Sequence, residues 1–257
     1  MPALRLAADP VALAGSPVAR DTALDLLKWL AFASMLLDHL RLVWPAQIWL
    51  YVPGRLAFPF FCLILAVNLV RPRPEPLRRL ALARYCGWLL VFALLSEWPY
   101  RLLVGAPDSF NVLPTLALGL LLANGVLPCP LSERLLAVAA LALAVALNER
   151  LMFGAFGVLL PGAFLLALQR PRWAWLLPAG VTVVANYWPP IYVDALLGQP
   201  FAFSVILACF FAAPLGLALL RLAPGLPVPA LRRWAYAFYP AHFLLLHGLR
   251  EWLRQGG

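Results

Sequence analysis

The sequence is short of charged residues of both signs. Only 11 of its 257 residues are acidic and 20 are basic, so charged residues make up 12% of the chain, against about 25% in a typical soluble domain. Hydrophobic residues make up 64%, and the mean hydropathy is +0.86. A soluble protein of this length needs more polar surface to cover its core. The composition therefore excludes a soluble globular protein, leaves no room for a separate soluble domain, and indicates a protein embedded in a lipid bilayer.

Cysteine pairs and metal-ligand patterns are also missing. The four cysteines, Cys62, Cys86, Cys129 and Cys209, are scattered along the chain, and no two of them have the CxxC spacing of a zinc or redox site. Three of them lie in apolar stretches, where a cysteine is an ordinary small core residue. We therefore expect no metal site.

The basic residues do not form the continuous basic face of a nucleic-acid-binding protein. The net charge is +9, but the charge falls in short clusters between apolar stretches, without interleaved aromatic residues. Such clusters are typical of the cytoplasmic loops of membrane proteins. We therefore expect a lipid bilayer, and no nucleic acid, as a partner.

The first twenty residues contain no continuous apolar stretch, so we do not expect a cleavable signal peptide there. Residues 1–20 are predicted to form a flexible cytoplasmic tail, and residues 21–257 a single integral-membrane domain of the acyltransferase type discussed below. No internal repeat is visible.

Long apolar stretches fill the rest of the chain. Most approach the roughly 20 residues that a helix needs to cross a hydrocarbon core about 30 Å thick. Since only helices and closed barrels span membranes, we predict an all-α polytopic bundle of about nine spans, with eight to ten as the range. The predicted spans are 22–44, 47–70, 82–104, 110–128, 132–148, 151–169, 173–193, 200–220 and 231–250.

The distribution of arginine predicts the orientation. Connections with an excess of basic residues lie on the cytoplasmic side of a membrane. The arginine-rich regions are the N-terminus and every second connection, with Arg5, Arg20, Arg71, Arg73, Arg78, Arg79, Arg84, Arg134, Arg170, Arg172, Arg221, Arg232 and Arg233. The intervening connections hold at most Arg41, Arg101 and Arg150. The N-terminus is therefore predicted to be cytoplasmic.

Within the first span, the stretch 25–39 carries four ionisable residues that lipid would exclude. They are Asp25, Lys28, Asp38 and His39, and each charge at the centre of a span costs about 2.5–3.5 kcal/mol. At about 100° per residue, Asp25, Lys28 and His39 fall on one helical stripe, which is predicted to face the bundle interior. Lys28, the only lysine, also lies near the cytoplasmic end, where it can extend its ammonium to the interface.

Other spans carry polar residues that are candidates to line the same site. Three of them have simpler interpretations: Glu97 and Arg101 suit an interfacial ion pair, and Asn111 suits helix packing. Tyr239 and His242 lie three residues apart on one helical face. The full set of candidates is Arg55, Asn68, Glu97, Arg101, Asn111, Tyr239 and His242.

The Lys-x10-His spacing of the first span resembles the Arg-x10-His signature of acyltransferase-3-type membrane enzymes. The closer resemblance is to the TraX family, which is associated with N-terminal acetylation of pilin. The matching stretches are LDLLKWLAFASMLLDHL (24–40), GRLAFPFFCLILAVNLV (54–70), SEWPYRLL (96–103), NVLPTLALGLLL (111–122), GAFGVLLP (154–161) and FYPAHFLLLH (238–247). They extend over nearly the whole chain, and the first two are the most specific.

The resemblance implies an acetyltransferase with acetyl-CoA as donor and a pilin N-terminus as acceptor. It implies that His39 is the central catalytic residue, as general base or acyl relay, and that Asp38, Lys28 and Arg55 assist it. Asp38 or Asp25 is a candidate to orient the imidazole. On the predicted cytoplasmic face, Arg78 and Arg79 are candidates to bind the phosphates of coenzyme A.

Three alternatives remain open at this stage. The acceptor of an acetyl group can instead be a hydroxyl of a glycan or lipid head group, although we expect no appended esterase-like domain. A proton-coupled transporter would use His39 and Glu97 as proton relays, but the chain lacks an inverted repeat. A non-catalytic factor that holds a small membrane protein would need none of these residues for chemistry. The bias toward arginine, alanine, leucine and proline favours a bacterial inner-membrane, multi-pass location.

Overall fold

The described part of the chain is helical, with no β-strand. The computed structural model describes residues 21–222, 228–231 and 234–256. Over these ranges the all-α prediction is confirmed. The predicted tail at 1–20, together with Arg5, Arg20, Arg232 and Arg233, lies outside the described residues.

The described residues form eleven α-helices and two short 3-10 helices. The α-helices are α1 (Thr22–Leu40), α2 (Tyr51–Gly54), α3 (Ala57–Val70), α4 (Leu77–Val104), α5 (Val112–Val126), α6 (Leu131–Ala146), α7 (Gly154–Gln169), α8 (Leu176–Ala185), α9 (Pro189–Leu196), α10 (Pro200–Leu222) and α11 (Trp234–Gly256). The 3-10 helices are Pro45–Leu50, before α2, and Arg172–Trp175, before α8.

Three helical segments of the described chain are long and apolar enough to cross a membrane. They are Pro45–Val70, Leu77–Val104 and Pro200–Leu222, and the apolar helices Val112–Val126 and Gly154–Gln169 are shorter. With 28 residues, α4 is about 42 Å long, which exceeds a hydrocarbon core of about 30 Å. The chain is therefore a membrane protein with a helical bundle, and the count of nine spans stays a prediction.

Two predicted spans are interrupted, and proline explains both interruptions. The second is distorted at Arg55 and Leu56, whose N–H groups bond to the carbonyls three residues back instead of four; Pro59 lacks the N–H that would bond to the Arg55 carbonyl. The seventh, predicted at 173–193, ends as helix α8 at Ala185. A separate helix, α9, then starts at Pro189, because a residue before proline is driven out of the helical region. The predicted span 173–193 therefore consists of more than one helix.

The helices enclose one main hydrophobic core, in which α1 packs on α3, α3 on α7, α5 on α6 and α7, and α4 on α11.

Arg250 of α11 joins α11 directly to α4. Its guanidinium donates hydrogen bonds to the carbonyls of Leu103, at 2.6 Å, and Leu102, at 3.0 Å. These carbonyls lie in the last turn of α4 and have no partner within that helix, so Arg250 fixes α11 against the end of α4.

Candidate active site

A cavity of about 60 Å³ lies where α1 meets α2, α3 and α11. Five polar side chains from four regions of the sequence line it: Asp38, His39, Arg55, Asn186 and Tyr239. The rest of the wall is apolar and largely aromatic. The structure thus brings together four of the residues predicted from sequence, and adds Asn186.

Arg55 is the most strongly bound polar side chain of the cavity. Its Nη2 donates to Oδ1 of Asp38 at 2.8 Å, and its Nη1 donates to Oδ1 of Asn186 at 3.1 Å. The guanidinium also lies over the ring of Tyr51, 3.9 Å from the centroid, an arrangement that attracts a cation to the π face. Its Nε is buried and has no hydrogen-bond partner among the described residues. Arg55 is therefore held in place and keeps one free donor.

The turn between α2 and α3 brings Arg55 to Asp38. The guanidinium of Arg55 extends from the end of α2 to the Asp38 carboxylate of α1. Gly54 allows the close approach: a Cβ at this position would lie 2.6 Å from the Cβ of Asp38. Arg41, one turn after Asp38, contacts the same carboxylate oxygen through Nε at 3.3 Å. Asp38 is thus paired with two cations.

His39 is hydrogen-bonded to a second histidine. Its Nδ1 lies 3.0 Å from Nε2 of His242, which is 203 residues away in the sequence. His242 is 1% exposed, and its own Nδ1 lies 3.2 Å from the carbonyl of Phe238. Phe243 packs against both imidazole rings, with centroid distances of 4.9 Å to His39 and 4.0 Å to His242. The partner of His39 Nδ1 is therefore His242, whereas Asp38 is bound to arginine. The expectation that a carboxylate orients His39 was wrong.

Aromatic side chains close the apolar side of the cavity. Phe58 of α3 and Phe153 stack with ring centroids 4.0 Å apart and planes inclined by 10°. Phe153 precedes α7 and has a left-handed backbone conformation, with φ of 68°, which is unusual for a bulky residue. The adjacent Met152 carbonyl accepts a hydrogen bond from the hydroxyl of Thr115 at 2.8 Å. This wall leaves room for a small group beside His39.

A second polar network supports the cavity from the side of α4 and α5. The fully buried Asn111 donates from Nδ2 to Glu97 at 2.7 Å and to the Ala93 carbonyl at 2.8 Å. Its Oδ1 accepts from the Leu113 N–H and thereby caps α5. Arg101 pairs with Glu97 at 2.7 Å. Glu97, Arg101 and Asn111 therefore form a connected structural unit, and none of them lines the cavity itself.

Lys28 lies away from the cavity. Its Nζ is 2.9 Å from Oδ1 of the buried Asp25, and eleven residues separate it from His39, about 16 Å along α1. The predicted stripe of Asp25, Lys28 and His39 therefore divides into two separate polar sites: the Asp25–Lys28 pair and the cavity at His39. A role for Lys28 and Asp25 in catalysis stays a prediction.

Arg78, Arg79 and Asn68 lie near the predicted cytoplasmic end. Glu133 bonds Arg78 at 2.9 Å and Arg79 at 3.3 Å, and Arg78 also pairs with Glu75. Arg78 lines a small cavity of about 20 Å³ together with Asn68. Arg78 is largely neutralised by its partners, whereas Arg79 has 57% of its side chain exposed.

Sequence reasoning missed three residues beside Arg55. Asn186, Tyr51 and Arg41 were not among the candidates, although each contacts Arg55 or Asp38. Asn186 carried a usable signal, because an amide inside a predicted span is the criterion that selected Asn68 and Asn111. Tyr51 and Arg41 carried none, since both suit a membrane interface.

Comparisons with known proteins identify relatives of the chain. The TraX protein family model matches residues 23–250. Protein TraX of Escherichia coli is 37% identical over 79 residues, and Protein TraX of Escherichia coli strain K12 is 40% identical over 77 residues. Each alignment covers 30% of this chain and only 29% of the relative. No solved structure matches the chain significantly.

Proposed function

Because the chain belongs to the TraX family, we propose that it is an integral-membrane acetyltransferase that transfers the acetyl group of acetyl-CoA to an acceptor amine. The observation that carries the proposal is the cavity in which the imidazole of His39 lies beside the buried guanidinium of Arg55. Acyl transfer from a thioester needs a base for the nucleophile and a donor for the oxyanion, and this pair supplies both types of group.

In the proposed reaction, His39 acts as general base and then as general acid. Its Nε2 takes a proton from the acceptor amine while the amine nitrogen attacks the thioester carbonyl, so that a C–N bond forms. The tetrahedral intermediate collapses by breaking the C–S bond. The thiolate leaves with the proton from His39, and the products are an amide and free coenzyme A.

Arg55 is suited to stabilise the oxyanion of the intermediate. Its Nε is a buried donor without a partner among the described residues, and a fixed donor in a site of low dielectric stabilises developing charge strongly. Asp38 and Asn186 bind the two other guanidinium nitrogens. These bonds hold Arg55 in place, and the pairing makes Asp38 a holder of Arg55 rather than a base.

An acyl relay is the alternative route through the same residue. In this route Nε2 of His39 attacks the thioester, carries the acetyl group and passes it to the amine. Rapid quench with labelled acetyl-CoA and no acceptor distinguishes the routes. A labelled His39 peptide that forms fast enough for turnover supports the relay, and its absence supports direct transfer.

For the donor, we propose that Arg79 contributes to binding of the coenzyme A phosphates. Arg79 is the more exposed of the two candidate arginines, while Arg78 is engaged by Glu133. The Arg78→Gln/Arg79→Gln double variant is expected to raise the KM for acetyl-CoA. Arg84→Gln, an exposed arginine on the same helix, serves as the control. An unchanged KM in the double variant contradicts this role.

The acceptor that the family resemblance favours is the N-terminus of a pilin subunit. A small membrane-inserted protein can present its terminal amine to a site inside a helical bundle. Mass spectrometry of pilin co-expressed with the wild-type chain is expected to show an acetylated N-terminus, and co-expression with His39→Ala is expected to show a free one. An unmodified pilin with both proteins would contradict this acceptor.

The central experiment measures transfer from labelled acetyl-CoA in membranes that carry one protein at a time. His39→Ala is compared with His247→Ala, because His247 bonds Arg250 at 3.2 Å and does not line the cavity. Loss of transfer in His39→Ala alone supports the proposal. Equal transfer in both variants, above a control without the protein, removes His39 from the mechanism. No transfer with the wild-type protein and pilin refutes the proposed activity.

A further inference from the structure

The hydrogen bond between the two buried histidines has a direction that its surroundings determine. Nδ1 of His242 lies 3.2 Å from the Phe238 carbonyl, and a carbonyl oxygen only accepts hydrogen bonds. Nδ1 of His242 therefore carries a hydrogen. In a neutral imidazole the other nitrogen then has a lone pair and no hydrogen, so Nε2 of His242 is an acceptor.

The acceptor on His242 determines the tautomer of His39. Nε2 of His242 lies 3.0 Å from Nδ1 of His39, so Nδ1 of His39 is the donor of this bond. A neutral His39 with hydrogen on Nδ1 has its lone pair on Nε2. This is the nitrogen that the proposed reaction uses as base.

We propose that His242 is a positioning residue that holds His39 in the tautomer with a basic Nε2. The inference rests on the proposed function and adds a residue to it. The direction of hydrogen bonding runs from His39 Nδ1 to His242 Nε2, and from His242 Nδ1 to the Phe238 carbonyl. Both directions follow from the Phe238 carbonyl, which can only accept a hydrogen bond.

Packing fixes the orientation of the His242 ring. The ring is stacked on Phe238 with an interplanar angle of 12° and lies 4.0 Å from the centroid of Phe243. His242 is 1% exposed, so its ring is held by packing on every side. A hydrogen-bond partner that fixes the tautomer of a metal-binding histidine is typically worth about 10- to 100-fold, and loss of the correct tautomer costs about 10⁴-fold in serine proteases.

His242 differs from the carboxylate that usually orients a catalytic histidine. Asp38 adjoins His39 in sequence, but its Oδ1 is bound by Arg55 at 2.8 Å and Arg41 at 3.3 Å. A neutral imidazole acceptor fixes the tautomer without adding a further negative charge to a buried site, where unpaired charge is unfavourable.

Two substitutions of His242 separate positioning from packing. Glutamine places an amide oxygen near the position of Nε2 and preserves an acceptor for His39, whereas leucine preserves apolar volume and removes the acceptor. We expect His242→Leu to lower kcat for acetyl transfer by roughly 10- to 100-fold with little change in KM, and His242→Gln to retain most of the activity. A packing role predicts the opposite order, with leucine tolerated better than glutamine. That order would overturn the inference.

A spectroscopic measurement tests the tautomer without relying on activity. The chain has only three histidines, so the imidazole signals of ¹⁵N-histidine-labelled protein can be assigned with His247→Ala and His242→Leu. We expect ¹⁵N NMR of the wild-type protein to show a protonated Nδ1 and an unprotonated Nε2 at His39. The Nε2–H form is expected to gain population in His242→Leu but not in His242→Gln. A protonated Nε2 in the neutral wild-type protein overturns the inference even if acetyl transfer is present, whereas a missing transferase activity with the expected spectrum refutes only the proposed function.

Discussion

Replacing Asp38 by asparagine removes the negative charge that neutralises Arg55 in the wall of the cavity. The two side chains are 2.8 Å apart, with 16% of Asp38 and 10% of Arg55 exposed. The other contacts of the guanidinium, the Asn186 amide and the Tyr51 ring, are neutral. In the Asp38→Asn variant, Arg55 therefore keeps its hydrogen bonds but loses the only carboxylate that pairs with it in the described structure.

The expected loss of stability follows from the burial of the pair. Removing one partner of a buried ion pair costs about 3–5 kcal/mol, because the remaining charge is left uncompensated. The asparagine oxygen can still accept from Nη2, so the lower value applies, about 3 kcal/mol. For a chain of this size, each kcal/mol changes Tm by about 2–4 °C. The free energy of unfolding should thus fall enough to lower Tm by roughly 6–12 °C.

Thermal unfolding of the detergent-solubilised proteins measures this loss. Arg254→Gln is a matched control, because Arg254 pairs with Glu251 at 3.1 Å and is 65% exposed; an exposed pair contributes about 0–1 kcal/mol. The double variant Asp38→Asn/Arg55→Met removes both charges and should recover at least half of the lost Tm. If Asp38→Asn unfolds at the same temperature as the Arg254→Gln control, Arg55 is solvated and the buried pair does not exist.

Three further substitutions test other parts of the cavity and its supports. Gly54→Ala would place a Cβ 2.6 Å from the Cβ of Asp38; we expect a loss of about 1–3 kcal/mol in thermal unfolding, and a wild-type Tm would contradict the close approach. Arg250→Leu leaves two carbonyls at the end of α4 without their side-chain donor; since a hydrogen bond from a charged donor is worth about 1.5–3 kcal/mol, hydrogen exchange of that helix end should increase by roughly tenfold or more, while unchanged exchange would show that the contact is dispensable. Phe58→Ala opens the aromatic wall of the cavity; competition between acetyl-CoA and butyryl-CoA should shift toward the longer acyl group, and an unchanged ratio would show that this wall does not limit acyl length.

The helical fold could be predicted from the sequence because the constraint is local. In lipid, each backbone polar group must be satisfied within its own helix, so long apolar stretches indicate where helices lie. The positions at which these helices are interrupted were harder to predict from the sequence. Pro59, Pro189 and Pro190 were visible in the sequence, but a proline inside a span is tolerated or breaks the helix according to its neighbours.

The sequence could predict which residues belong to the candidate site, but not how they are arranged in space. Ionisable groups in apolar helices are expensive, so His39, Asp38 and Arg55 stood out individually. The structure brings these three together with Tyr239 at one cavity. It separates Lys28 from them, because helical periodicity gives a shared direction around α1 but says nothing about the 16 Å along it.

The sequence by itself thus determined that this protein lies in a lipid bilayer, that its fold is helical, and which side chains needed a buried partner. Only the tertiary structure decided which partners they have. His39 meets His242 across 203 residues, and Arg55 meets Asn186 across 131, and no local pattern encodes either contact. The physical reason is that a residue's position along and around its own helix is fixed by local geometry, whereas the face that another helix presents is fixed by packing, as where Gly54 lets α2 approach Asp38.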